Sequence, residues 1–193
     1  MNSGNLEIIA GHNLAERLEM SYRLINDGPR NSATASLGLM PMSDAGREKR
    51  PTLLVFHIND STDDQVLFQT ACEHAQVPFV WHVADSAEKA MSYLKTLITL
   101  NQSHAVRWPD LVVLDIAMPG ESGFTVLEYM RKTPELKLLP VVIFSGHPEP
   151  KLIEEAYRLG ANSFLAKPMQ FDQTVELVGS LYMAWMTAKR PSL

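Results

Sequence analysis

The feature that most constrains this chain is a fivefold alternation of short apolar runs with longer amphipathic ones, beginning at Thr52. Leu53-Leu54-Val55-Phe56-His57-Ile58, Phe79-Val80-Trp81-His82-Val83, Leu111-Val112-Val113-Leu114, Pro140-Val141-Val142-Ile143-Phe144 and Asn162-Ser163-Phe164-Leu165 have the length and near-continuous apolarity of buried strands. Helical segments follow each: Thr62 to Gln76 with Val66, Leu67, Thr70, Ala71 and Ala75 inward, Ala87 to about Leu100 capped by Ser86, and Ser122 to Lys132 after the Met118-Pro119-Gly120 turn. The last two are Glu149 to Leu159, stopped by Gly160, and Phe171 to about Lys189. Such alternation predicts an α/β fold, a parallel sheet with helices on both faces and right-handed crossovers.

A chain of 193 residues suits one domain rather than two, and 46% hydrophobic with 20% charged residues is a globular composition, not a disordered one. A net charge of -5 argues against nucleic acid, because phosphate backbones call for a clustered basic face, and the nearest basic run is the short Arg47-Glu48-Lys49-Arg50. Cys72 is the single cysteine, so no intramolecular disulfide forms, and its surroundings suggest a half-buried thiol. No signal-peptide pattern or bilayer-length apolar run is present, so a cytoplasmic protein without membrane contact is expected.

Residues 1–50 read as an extension, largely flexible, ahead of a domain over 51–190. Leu14, Leu18, Tyr22 and Ile25 give a short helix over about 12–26, and Asn31 to Arg50 lacks periodicity. The segment is either a floppy tail, one version of which has translation beginning at Met40 or Met42, or a docking or dimerisation helix.

The chemistry sits where the strands end. In open parallel sheets, ligands bind outside the carboxyl ends of the strands. There the first strand presents Asn59-Asp60, the third Asp115, the fourth Ser145, and the fifth runs into Lys167-Pro168. Any one of these is ordinarily a cap, a turn former or solvated surface. Together they suit phosphoryl transfer: Asp60 and Asp115 are hard oxygen ligands for Mg²⁺, and Asp115 can act as nucleophile. Lys167 and the Ser145 hydroxyl can meet phosphoryl oxygens.

Three stretches carry a family likeness: Leu111 to Gly123 around Asp115-Ile-Ala-Met-Pro119, Pro140 to Ser145, and Ala156 to Pro168 with Lys167-Pro168 at its end. They resemble the response-regulator receiver family over about Pro51 to Lys189. The resemblance implies a flavodoxin-like (βα)5 three-layer sandwich with strand order 2-1-3-4-5. It implies that Asp115 is the phosphoacceptor, that Asp60 and the main-chain carbonyl of Ala117 are metal ligands, and that Ser145 and Phe164 are paired switch residues. It also implies a cis Lys167-Pro168 peptide, a sensor histidine kinase or phosphotransfer protein as donor, and output through a protein partner rather than as an enzyme. The long Leu97–Pro109 loop is similar to that of small receivers working with phytochrome-type or hybrid kinases.

Asn59 departs from the family, which has two acids at the end of the first strand; an amide keeps an acceptor oxygen but loses the charge, making it a weaker metal ligand. It is the one feature favouring the alternative, a phosphorylation-independent adaptor (pseudo-receiver). A flavodoxin-type FMN binder is disfavoured because Asp60 would repel a phosphate. A haloacid-dehalogenase-type phosphatase is disfavoured because Ala117 stands where a second Asp is needed. No two histidines have metal-site spacing; His147 lies near the site mouth or in solvent, and Trp81 reads as core. The last helix carries an apolar stripe, Val175, Val178, Leu181, Tyr182 and Trp185, that reads as core; if its last turns outrun the sheet, Tyr182, Trp185 or Met186 is a candidate homodimer or kinase contact.

Overall fold

The computed structural model describes residues 52–101 and 107–187. The N-terminal extension with its short helix, and residues 102–106 of the long loop, lie outside them.

The order is β1 (Leu53–Ile58), α1 (Thr62–His74), β2 (Phe79–Ala84), α2 (Ala87–Asn101), β3 (Leu111–Leu114), α3 (Gly123–Lys132), β4 (Val141–Ser145), α4 (Pro150–Arg158), β5 (Ser163–Ala166) and α5 (Phe171–Thr187). The five strands form one parallel sheet in the order β2-β1-β3-β4-β5. The strand order reverses between β1 and β3, so the crevice at their carboxyl ends is where this fold class places its ligand.

Side chains alternate across each strand, and that period sorts the core into two layers. Phe56, Val112, Leu114, Val141 and Ile143 face α2, α3 and α4, which contribute Ala90, Leu94, Leu127, Met130 and Ala156. Leu53, Val55, Val113, Val142 and Leu165 face α1 and α5, which contribute Phe68, Cys72, Leu177, Leu181 and Trp185.

Caps fix the helix starts. Ser61 accepts from Asp64 N–H, Ser122 from Phe124 N–H, and Ser86 from Lys89 N–H. α4 begins with Pro150 in its first turn, where a missing N–H costs nothing. The α4–β5 turn passes through Gly160 at φ +94°, with Arg131 donating to its carbonyl and to those of Leu139 and the Asn162 side chain.

Four expectations need correction. Val66 and Leu67 are not inward: they are 56% and 43% exposed, and α1 buries Phe68, Ala71 and Cys72 instead. Cys72 is fully rather than half buried, and burial pushes its thiol pKa up. Tyr182 and Trp185 follow the core reading of their stripe and not the alternative of an exposed contact, because α5 continues to pack against α1 and the start of β2; Met183 is exposed instead. The Lys167–Pro168 bond is trans, as no cis peptide occurs among the described residues, and trans is the favoured isomer even before proline. Among the described residues no helix is long and apolar enough to cross a membrane.

Candidate functional site

The site is built from ladder ends. Asn59 N–H donates to Ala84 O, Asp115 N–H to Ile58 O, and Lys167 N–H to Ser145 O, so each polar residue sits one step beyond the last pair of its strand. The alternation then assigns faces. Asp115 follows Leu111 and Val113, and Lys167 follows Leu165, which places both on the side of α1 and α5. Ser145 follows Val141 and Ile143 and begins on the opposite side.

Asp115 and Lys167, 52 positions apart, meet directly: Lys167 Nζ donates to Asp115 Oδ2 at 2.5 Å. Asp115 Oδ1 accepts from Ala117 N–H at 2.9 Å, so both oxygens of this nearly buried carboxylate are oriented. The loop after Asp115 closes over its backbone at Gly123. A Cβ there would stand 2.1 Å from Asp115 O, an impossible contact, so only glycine lets α3 start this close.

Burial acts to lower the Lys167 pKa, but hydrogen bonds and charge attraction from Asp115 and Asp64 outweigh it and hold the ammonium above its ordinary range. Asp64 is the residue that sequence reasoning missed. It lies on the first turn of α1, and its Oδ2 accepts from the same Nζ at 2.6 Å. The available signal was its position four residues after Asp60, but an acid in a first helical turn is normally explained by the helix dipole.

The remaining residues are less tightly drawn in. Asp60 is half-buried beside Asn59. The Asn59 side chain is fully buried; its Oδ1 accepts from Ser61 N–H at 2.8 Å, and its Nδ2 has no partner among the described residues. Ser145 is buried, its hydroxyl accepting from His147 N–H at 3.3 Å, while the His147 side chain is exposed. Phe164 is already packed into the α2/α3/α4 layer.

His57 was read only as part of the first strand. It lies beneath the site on the α1/α5 side, its ring 5.1 Å from Phe68 and 6.1 Å from Trp81. Burial, then the Lys167 charge, lowers its pKa to about 4 against the opposing pull of Asp115 and Asp64, so it is neutral. A small pocket lined by Asp64, Leu67, Phe68, Phe144, Lys167, Pro168 and Thr174 opens at the Lys167–Asp64 pair.

Among the described residues no three His, Cys, Asp or Glu side chains form a cluster that could cage a metal. A Mg²⁺-class ion does not need one: it keeps several waters and takes one or two carboxylates. Asp60 and Asp115 supply that number of hard oxygens at adjacent strand ends, so the donor set fits.

The chain is similar to several known proteins. The rice response regulator ORR1 (Oryza sativa subsp. japonica) is 31% identical over 129 residues, 66% of this chain. The chain spans about half of that relative, 53% of its length. Response regulator Rcp1 of Synechocystis is 26% identical over 146 residues, 75% of this chain and 95% of that one. The phosphorylated cyanobacterial phytochrome response regulator RcpA has a similar solved structure, with a TM-score of 0.64, 27% identity, and coverage of 74% of this chain and all of that one. The family model for the response regulator receiver domain matches residues 55–179. On that match, and on the 2-1-3-4-5 sheet with acid and lysine joined at its carboxyl edge, this chain belongs to the response regulator receiver domain family of two-component systems.

Proposed function

We propose that Asp115 accepts a phosphoryl group from a histidine kinase or phosphotransfer protein, and that the chain signals by changing the surface it offers to a protein partner. The observation carrying this reading is the Lys167 ammonium seated on the Asp115 carboxylate, at a closed strand end where an anion would otherwise be costly to bury. An Asp115 oxygen attacks phosphorus, the P–N bond to the donor histidine breaks, and the bond pair leaves with the imidazole, which is then protonated.

Asp60, Asp115 and the main-chain carbonyl of Ala117 would hold a divalent cation of the Mg²⁺ class, which when bound offsets repulsion between carboxylate and phosphoryl group. Lys167 meets one phosphoryl oxygen, and the Ser145 hydroxyl turns from the His147 amide to another. Lys167 N–H is bonded to Ser145 O, so movement at the site reaches β4 and β5 together. Phe164 lies on β5 in the α4-facing layer and responds to that movement. A phytochrome-type kinase is the donor class we favour, because RcpA is a phytochrome response regulator and is similar over three quarters of this chain.

Asn59, neutral and with its Nδ2 unpartnered among the described residues, favours a second reading, an adaptor that is never phosphorylated. Intact mass after incubation with Mg²⁺ and a small phosphodonor separates the two. One phosphoryl group gained by the wild type and none by Asp115→Asn is the expected result. No gain by a folded wild-type chain, with the donor active on a control receiver, would turn the reading to the adaptor.

A further inference from the structure

One ammonium serves two carboxylates in this site. Lys167 Nζ lies 2.5 Å from Asp115 Oδ2 and 2.6 Å from Asp64 Oδ2, so those two oxygens are at most about 5 Å apart. The arrangement joins residues 103 and 52 positions distant from the lysine, and it is asymmetric in exposure: the Asp64 side chain is 38% exposed and that of Asp115 6%. Asp64 therefore stands on the solvent side of the lysine and Asp115 on the closed side. At the end of β1, by contrast, Asn59 is neutral and turns its oxygen to the Ser61 amide. The second negative charge on Lys167 is thus supplied by a helix.

We propose that Asp64 is a positioning residue that restrains phosphoryl acceptance at Asp115, by holding Lys167 and by placing a second negative charge beside the incoming group. The proposal rests on the phosphoacceptor reading above. As the new O–P bond forms and the bond to the leaving group breaks, negative charge gathers on three phosphoryl oxygens, and Lys167 must turn a donor to one of them. The ammonium has three N–H donors, and two are already committed to carboxylates. Asp64 remains within charge–charge range of the phosphoryl position, at a separation shorter than the roughly 8 Å Debye length of physiological salt. A free anionic donor meets that repulsion directly.

The test is the rate of phosphoryl gain with acetyl phosphate at saturating Mg²⁺, by intact mass, for wild type, Asp64→Asn and Asp64→Glu, with thermal melts to establish folding. Asp64→Asn keeps the side chain's shape and removes its charge. It should react faster by on the order of tenfold. Asp64→Glu keeps the charge and should stay near the wild-type rate, which a purely structural role of Asp64 would not produce. Equal rates in all three proteins, or a slower Asp64→Asn, would overturn the proposal while leaving the phosphoacceptor reading intact. No phosphoryl gain in any of the three would sink both.

Discussion

The layer beneath α2, α3 and α4 is closed by side chains such as Val112, Leu114, Leu127, Met130 and Ile143. On the other face, beneath α1 and α5, lie the buried polar side-chain atoms that find no partner among the described residues: both His57 ring nitrogens, Asn59 Nδ2, Ser163 Oγ and Trp185 Nε1. That face also carries Asp115, Lys167 and Asp64. The difference teaches that one side of this sheet holds the domain together while the other gives up some packing to support charge. A buried polar group without a partner costs roughly 1–3 kcal/mol, a cost that falls on the α1/α5 face.

The contrast can be broken most forcefully at Leu127, fully buried on α3. Leu127→Ala should lower unfolding free energy by about 3 kcal/mol in denaturant titration, through lost burial and an unfilled cavity. A loss below about 1 kcal/mol would mean that this layer relaxes freely and is not the rigid side.

His57 sharpens the contrast through pH. Its pKa falls from 6.5 to about 4 on folding, so between those values the unfolded chain binds a proton that the native protein refuses. Stability from this source is full above pH 6.5 and drains away as the pH falls toward 4, amounting to about 3 kcal/mol at the low end. His57→Phe, placed among Phe68 and Trp81, should flatten that part of the stability profile in metal-free buffer. An unchanged acid slope would move the origin of acid sensitivity elsewhere.

The smallest effect is expected at Ser163, whose buried hydroxyl lacks a partner among the described residues. Ser163→Ala should be neutral or stabilising by up to about 1 kcal/mol, whereas a core position on the other face would not tolerate truncation. A clear loss of stability in melts would show that this hydroxyl is satisfied after all, for instance by a bound water.

The strand–helix alternation, the parallel sheet and the gathering of Asp60, Asp115, Ser145 and Lys167 at one edge were legible in the sequence, because local periodicity and turn chemistry encode them. Strand faces followed as well: a period of two leaves only two choices, and the apolar neighbours of Asp115 and Lys167 select one. Helix phase did not follow. Apolar residues surround much of α1, so Val66 and Leu67 competed with Phe68, Ala71 and Cys72 for the inward side, and only contact with α5 and the sheet settled it. The burial of Tyr182 and Trp185 against α1 and β2 was decided in the same way. Asp64 is the sharpest case. Its charge and its place on a first helical turn are local facts, but its bond to Lys167 spans 103 positions and exists only because α1 and the Lys167 side chain lie on the same face of one sheet. Sequence patterns specify which face a residue prefers, and tertiary packing specifies whom it meets there, since a pairing energy depends on distances that no local period contains.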